Sequence, residues 1–399
     1  LSSTQQIPIQ VKGDLVNSRK LAGAVLASAV LALAACSSGS SGSSGPGATS
    51  PGGGATAQAA ASVAAAKAAV KAATTFPTAI PVTQSLPSKP PAGKTVVYLQ
   101  CEQQECTLEG AGIKAAAAAI GWTYKVVNFQ AANPATLVAA LKTALQYKPV
   151  GVFFSGVPQQ AWASVQQSYA KAGAFITENF DAKAPSGPGV AAGRGYADNS
   201  AQIGKLMADE QVANANGTAT KALLVSVPSY PVFVPEAAAY QAEIAKTCPS
   251  CSVTALNVTL PQLLGGQLIP AIVSAVKRTP GISYIVSVNA TFVTQLPSAL
   301  AAAGLAGKFK IISGPSEAPD QQNVLNGTVL ATVNSPYIMG GWQDVDMAIR
   351  TAMHLPIPAG DHVVPTVLLT KADVGTPQNS YDVPAGYAAQ FKTLWHVSG

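Results

Sequence analysis

KTVVYLQ, residues 94–100, is the first of a series of short apolar, β-branched runs, and what stands between those runs decides the fold. An Ala-rich pattern after it predicts a helix over 107–120. Then come an apolar run at 124–129 and a helix over 134–147, a run at 150–155 and a helix near 160–172, and a further run at 174–178. Runs this short and continuously apolar suit strands covered on both faces, and their alternation with helices implies a parallel sheet. Asn133-Pro134 is an independent helix start: Asn is expected to cap, and Pro fits the first turn, where its missing N–H is not needed.

The alternation then repeats. Residues 221–227, 252–258, 282–288, 309–313 and 328–333 are strand-like, with helices expected near 235–246, 267–278, 291–303 and 341–354. Two sheets of about five strands each exceed what one doubly wound domain needs. The chain must pass between them near 196–200 and 332–336, and 363–371 offers a third passage; three passages make a hinge beside a cleft. The expected fold is therefore α/β, two doubly wound parallel-sheet lobes joined by a three-crossover hinge. The first lobe takes 94–198 and 335–366, and the second takes 199–334 and 367–399.

Upstream of the alternation the chain reads as targeting sequence and tether. Arg19-Lys20 precede an apolar stretch, 21–35, too short to span a bilayer comfortably, and small residues Ala34-Ala35 stand before Cys36. Leu33-Ala34-Ala35-Cys36 resembles the bacterial lipobox. That resemblance implies export, cleavage before Cys36 and attachment of a diacylglycerol to its thiol, leaving the protein on the outer face of the bacterial cell membrane. Two acyl chains hold a protein at a bilayer where one barely does. Residues 1–35 are the expected signal segment, with initiation near Val16 because no Met precedes Met207. Residues 36–56, rich in Ser and Gly, are the expected flexible linker. An Ala-rich stretch over 57–73 predicts a helical spacer or surface lid, and 76–94, with Pro77, Pro81, Pro87, Pro90 and Pro91, an extended connector.

The remaining cysteines form two local pairs, Cys101 with Cys106 and Cys248 with Cys251, and an even remainder in an exported chain reads as two disulfides. Each closes so short a loop that the chain-entropy model gives roughly 2 kcal/mol, so the bridges staple loops and do not make the fold. Cys248-Pro-Ser-Cys251 has thioredoxin-like spacing, but it follows a helical stretch and precedes a strand, the reverse of the redox arrangement. The two pairs fall in different lobes, which argues against zinc.

With 48% hydrophobic and 11% charged residues the 399-residue chain can bury two cores. Its net charge of +6 comes from 24 basic and 18 acidic residues spread thinly, so no clustered basic stripe marks a nucleic-acid partner. His354, His362 and His396 all lie near the C-terminus, and neither a HExxH motif nor a Walker loop is present, so no enzyme, metal or cofactor is expected.

Gly195-Tyr196-Ala197-Asp198-Asn199-Ser200-Ala201-Gln202-Ile203-Gly204 resembles the first crossover of type I periplasmic binding proteins, the ribose- and galactose-binding family that feeds ABC importers. Val286-Ser287-Val288-Asn289 resembles its strand ending in a ligand-binding Asn, Ala331-Thr332-Val333-Asn334-Ser335-Pro336 its return crossover, and 367–373 its C-terminal strand and exit. The resemblance covers about 94–373. It implies a monomeric solute-binding lipoprotein that closes its hinge around a small polar ligand, sugar-like, and presents the closed form to permease subunits. A ligand-sensing receptor for a membrane kinase and a secreted hydrolase are the rival readings; the latter would have to draw its base from the tail.

In parallel sheets ligands sit beyond the carboxyl ends of the strands. Those ends nominate Gln100, Glu102 and Gln103, then Ser155, Asn179 and Phe180, Asp198 at the crossover, Tyr230 and Phe233, and finally Asn289, Ser316, Glu317 and Asn334. Amides read hydroxyls and aromatic faces pack against a sugar's apolar side. Asp198 and Asn199 have a second possible role as helix caps, and Phe292 either covers the pocket or packs beneath it. Trp162, Tyr169 and Trp342 sit in helical patterns and read as core. Three positions depart from the sugar binders the chain resembles: Asn179-Phe180 replaces an Asp-Arg pair, Pro235-Glu236 an Arg, and Ser316-Glu317 an Asp. Loss of the planar Arg fork weakens the case for vicinal hydroxyls, and Glu102, Glu236 and Glu317 are candidates to meet a cationic or amine group instead.

Overall fold

The computed structural model describes residues 52–397. The first lobe is built from β1 (Thr95–Gln100), α2 (Gln104–Ala119), β2 (Thr123–Asn128), α3 (Pro134–Leu145), β3 (Gly151–Ser155), α4 (Ala163–Ala172), β4 (Phe175–Asn179) and β5 (Val190–Ala192), preceded by α1 (Gly52–Ala73). Its five strands run parallel in the order β2-β1-β3-β4-β5. Helix α5 (Ala197–Ala215) then leads into β6 (Lys221–Ser226), α6 (Phe233–Thr247), β7 (Ser252–Asn257), α7 (Leu260–Leu264), α8 (Leu268–Arg278), β8 (Tyr284–Ser287), α9 (Leu296–Ala302), β9 (Lys310–Pro315), α10 (Ala318–Leu325) and β10 (Ala331–Val333). Helix α11 (Tyr337–Ala352), strand β11 (Leu368–Thr370) and helix α12 (Tyr387–Leu394) complete the chain. The second sheet has six strands, β11-β10-β9-β8-β6-β7, parallel except for β11 against β10.

Burial explains why these segments form strands. Val96 to Leu99 and Val152 to Phe154 are wholly inaccessible, so helices cover both faces of the first sheet. Trp162 and Tyr169 lie in that core, with Trp342 from α11, and the Trp342 and Trp395 rings stack at 5.4 Å. Phe391 and Trp395 belong to the same core. Residues 367–399, expected in the second lobe, are therefore divided: β11 pairs there with β10, whereas α12 packs in the first lobe. The physical reason is the aromatic face that α12 presents to Trp342. A fourth passage between lobes thus follows β11.

The N-terminal arm touches both lobes. Ala66 of α1 is buried in the second lobe's cluster with Ile203 and Met207 of α5, so the expected surface spacer has a packed face. The Pro-rich connector buries Ile80, Val82 and Leu86 in the first lobe. There Leu86 N donates to the Leu394 carbonyl at 2.9 Å and Arg350 Nη2 to that of Gln84 at 2.5 Å.

Several local expectations change. Asn133 makes no side-chain cap, although Pro134 does open α3; the Thr136 hydroxyl instead bonds the carbonyls of Asn133 and Gln130. The helix expected over 291–303 shortens to α9 because Asn289 Oδ1 accepts from Thr291 N at 2.8 Å and folds its start into a turn. Cys101–Cys106 and Cys248–Cys251 are bonded, the second bridge lying between the end of α6 and the start of β7. Cys36 and the segments 1–35 and 36–51 lie outside the described residues. No helix among the described residues is long and apolar enough to cross a membrane.

Candidate functional site

A cavity of about 410 Å³ lies between the lobes, where the carboxyl ends of both sheets meet the crossings. Its size is that of a small-molecule site. Gln103, Glu105, Glu109, Ser155 and Phe180 line it from the first lobe; Asn199, Asn334, Tyr337 and Thr366 line it from the passages; Tyr230, Phe233, Glu236, Asn289, Phe292 and Glu317 line it from the second lobe. The lobes touch directly where Gln103 Nε2 donates to Tyr230 Oη at 3.1 Å.

The floor in the first lobe is a buried charge network. Arg194, between β5 and α5 and 1% exposed, pairs with Glu109 at 2.5 Å through Nη2 and with Asp344 of α11 through Nη1. Glu109 Oε2 also accepts from Tyr98 Oη at 3.0 Å and from Ser155 Oγ at 2.5 Å, and Asn179 Nδ2 donates to Glu109 Oε1 at 2.8 Å and to Asp344. Two carboxyls share one guanidinium, so burial and the neighbouring Glu109 push Asp344 up to about 7 against the pull of Arg194. Phe180 covers this network, its ring 5.5 Å from the guanidinium carbon and edge-on to Tyr337 at 6.3 Å. It does so from a left-handed backbone, φ 58°, an unusual conformation for a bulky residue. Gly195, φ 75°, makes room for it: a Cβ there would lie 2.3 Å from Phe180 Cδ1.

The opposite wall is aromatic and acidic. Tyr230 and Phe292 stack at 6.3 Å, and Phe233 meets both edge-on, at 5.9 and 5.6 Å. Phe292 thus lines the cavity. Glu236, on the first turns of α6, is 1% exposed, and its Oε1 has no hydrogen-bond partner among the described residues. Burial pushes it well above the usual carboxyl range. Gly314 gives that carboxyl its place, since a Cβ would come 2.8 Å from Glu236 Oε1 and 2.2 Å from the Val288 carbonyl oxygen. Glu317 Oε1 is likewise unpartnered, and burial, then the charges of Glu105 and Asp320, push Glu317 up to about 7.

Residues 106–354, more than half of the chain, match the family described as periplasmic binding protein domain. The chain belongs to that family. Its two parallel-sheet lobes and multiple crossings are the type I architecture, the fold of solute-binding proteins of ABC transporters. Similar solved structures include a solute-binding protein from Burkholderia graminis C4D1M in complex with D-arabinose (16% identity, TM-score 0.61, 72% of this chain and 98% of that one). A glucose-galactose binding protein from Geobacillus stearothermophilus (16%, 0.60, 71% and 99%) and a solute-binding protein from Bradyrhizobium sp. BTAi1 with bound Bis-Tris (12%, 0.60, 73% and 86%) are also similar. A sequence comparison with curated proteins finds no match.

Of the residues nominated in this periplasmic binding protein, Gln103, Ser155, Phe180, Tyr230, Phe233, Asn289, Glu317 and Asn334 line the cavity. Gln100, Glu102, Asn179 and Asp198 do not. Gln100 Nε2 turns to the Thr107 hydroxyl at 3.4 Å, and exposed Glu102 accepts from Ala131 N at 3.1 Å. Asn179 is sealed below the floor by Arg194 and Asp344. Asp198 is exposed in the first turn of α5, and no side chain caps that helix; Asn199 Nδ2 instead donates to Thr366 Oγ1 at 3.2 Å across two passages. Ser316 is buried and donates to the Val333 carbonyl at 2.8 Å. Sequence reasoning missed Glu105, Glu109, Arg194, Tyr337 and Asp344. The four-residue spacing of Glu105 and Glu109 on one helix was the available signal. None of the three histidines lines the cavity, and among the described residues no group of three or more His, Cys, Asp or Glu is placed to hold a metal ion.

Proposed function

We propose that this chain is an extracytoplasmic solute-binding protein, anchored through lipidated Cys36, that delivers a small, ring-sized polar solute to the permease of an ABC importer by closing its lobes. The supporting observation is the cavity itself: it takes side chains from both sheets' carboxyl ends and from the passages, so only a closed form presents the whole set. Neighbours of the same fold hold D-arabinose or bind glucose and galactose, which favours a solute of sugar dimensions. Several buried hydrogen bonds and one stacked ring can supply the roughly 5.5 kcal/mol of differential affinity that moves such an equilibrium from about 1:99 to 99:1.

A thermal-shift screen over sugars, polyols, nucleosides, amines and aromatic acids, followed by small-angle scattering with each hit, tests the reading. A hit that raises the melting temperature and shrinks the radius of gyration supports it; absence of any ligand-dependent shift rejects it. Lipidation is tested separately by labelling cells with a fatty-acid analogue: label should enter the wild-type chain, and C36A should remain unlabelled and leave the membrane fraction.

A further inference from the structure

The charged inventory of the cavity is one-sided. Its amides are partly committed to the protein: Gln103 Nε2 donates to Tyr230, Asn334 donates to the carbonyls of Pro365 and Tyr381 and accepts from Val367 N, and Asn289 Oδ1 accepts from Thr291. Ser155 is taken by Glu109. Among the described residues the buried lining oxygens left without partners are Glu236 Oε1, Glu317 Oε1 and Ser335 Oγ, two of the three on carboxyls, on residues 1%, 8% and 2% exposed. Among the described residues no Lys, Arg or His lines the cavity, and Arg194 beneath it is spent on Glu109 and Asp344.

Buried acceptors without donors cost free energy until a donor reaches them, and a carboxylate's strongest organic partner is a charged N–H. Glu105 from the first lobe and Glu317 from the second line the same cavity closely enough that the charge of Glu105 raises Glu317, so closing the empty cleft brings like charges together. A cation between them reverses that sign. An inorganic cation would want a compact cage of ligands, and among the described residues no group of three or more His, Cys, Asp or Glu is placed to form one; the remaining wall is Tyr230, Phe233 and Phe292, which suits an organic ring and adds cation–π attraction.

We propose that the solute is a ring-sized organic amine, its ammonium group held by Glu236 and Glu317 with Glu105 closing from the other lobe, and its apolar face against the Tyr230–Phe233–Phe292 wall. This rests on the solute-binding reading above and adds the chemical class. The competing use of the same carboxyls, protonated and donating to a neutral hydroxyl, predicts the opposite preference.

Matched probes separate the two: D-glucosamine against D-glucose, and tyramine against tyrosol, titrated calorimetrically into the full chain. The amine member of at least one pair should bind about tenfold tighter or better, about 1.4 kcal/mol, than its neutral partner. Glu236→Gln and Glu317→Gln should each bring the pair towards equal affinity while keeping the wild-type circular dichroism; if E236Q fails to fold, E317Q decides. Neutral members binding as tightly as the amines overturn the amine class and leave the solute-binding reading standing. Failure of all four probes together with the wider screen overturns both.

Discussion

Replacing Arg194 with Met tests whether the cavity floor is held by charge pairing. The guanidinium is 1% exposed and the carboxyls of Glu109 and Asp344 are 2% and 0% exposed, so nothing outside the protein can take its place. Removing one member of a buried ion pair leaves an uncompensated charge and costs about 3–5 kcal/mol. Here two carboxyls lose the same partner, but Asp344, held up to about 7, already tends to keep a proton, which limits the loss to about one unpaired charge. In R194M the pull of the guanidinium no longer opposes burial and the neighbouring Glu109, which together raise the affinity of folded-state Asp344 for its proton further. Stability conferred by a raised carboxyl is present at low pH and lost as pH rises through the folded value, so the deficit against wild type should be small near pH 5 and approach about 3–5 kcal/mol near pH 8. Urea unfolding monitored through Trp fluorescence measures this directly, because Trp162, Trp342 and Trp395 all lie in the lobe that contains the network. A deficit below about 1 kcal/mol at pH 8, or one that does not grow with pH, refutes the account.

Three further outcomes are expected. Tyr230→Phe removes the single hydroxyl that accepts from Gln103 across the cleft mouth and leaves the ring stack intact, so it should cost about 0.5–1.5 kcal/mol of closed form, read as a two- to tenfold (roughly) weaker dissociation constant for any ligand; unchanged affinity would mean that the contact contributes nothing to closure. The ligand-free protein should lose stability as pH climbs from about 5 to 8, because burial holds Glu317 and Glu210 near 7 and Asp209 and Asp382 near 6, all above their unfolded values; a urea midpoint that rises over that interval contradicts it. Trp395→Ala should destabilise the protein by about 3–5 kcal/mol, the effect of emptying a fully buried aromatic site, with loss of the Trp342 stack visible in near-ultraviolet circular dichroism; a shift under about 1 kcal/mol would show that α12 is dispensable.

The fold was legible because its signal is local. Continuous β-branched runs such as TVVYLQ need burial on both faces, and every strand expected from such a run appears within a few residues of its expected bounds. What stayed hidden depends on partners distant in sequence. Nothing local to Tyr387–Leu394 shows that its aromatic face meets Trp342 some forty-five residues earlier (roughly, by chain count), so the tail reads as second lobe when it packs in the first. The short helix α10 opens with Pro319 in its first turn, between a strand and a turn, and carries too little apolar periodicity to be seen. In the site, strand-end counting finds loop residues and misses those that reach the same space from helix faces: Glu105 and Glu109 from α2, Asp344 from α11. Asn179 marks the limit of that counting, since it stands at a strand's carboxyl end yet is buried under the floor by Arg194, fifteen residues further along.

The arrangement of charge also explains how one cavity can combine a rigid wall with a movable one. On the floor of the first lobe the acids are neutralised before any ligand arrives: Arg194 ties Glu109 to Asp344, and Tyr98, Ser155 and Asn179 saturate the remaining oxygens. That wall is pre-organised, and its shape does not depend on occupancy. In the second lobe Glu236 Oε1 and Glu317 Oε1 have no such partners among the described residues, so in the proposed closing of the lobes their desolvation is uncompensated in the empty closed form and relieved when the cleft opens to water. An empty protein is thereby biased against closure, while an occupant that satisfies the two carboxyls removes the bias in the same step that brings the lobes together. The N-terminal arm bridges the two lobes, with α1 on the second and its connector in the core of the first. In the proposed mechanism closure is then controlled by what the second lobe lacks, and the first lobe supplies the surface against which it closes.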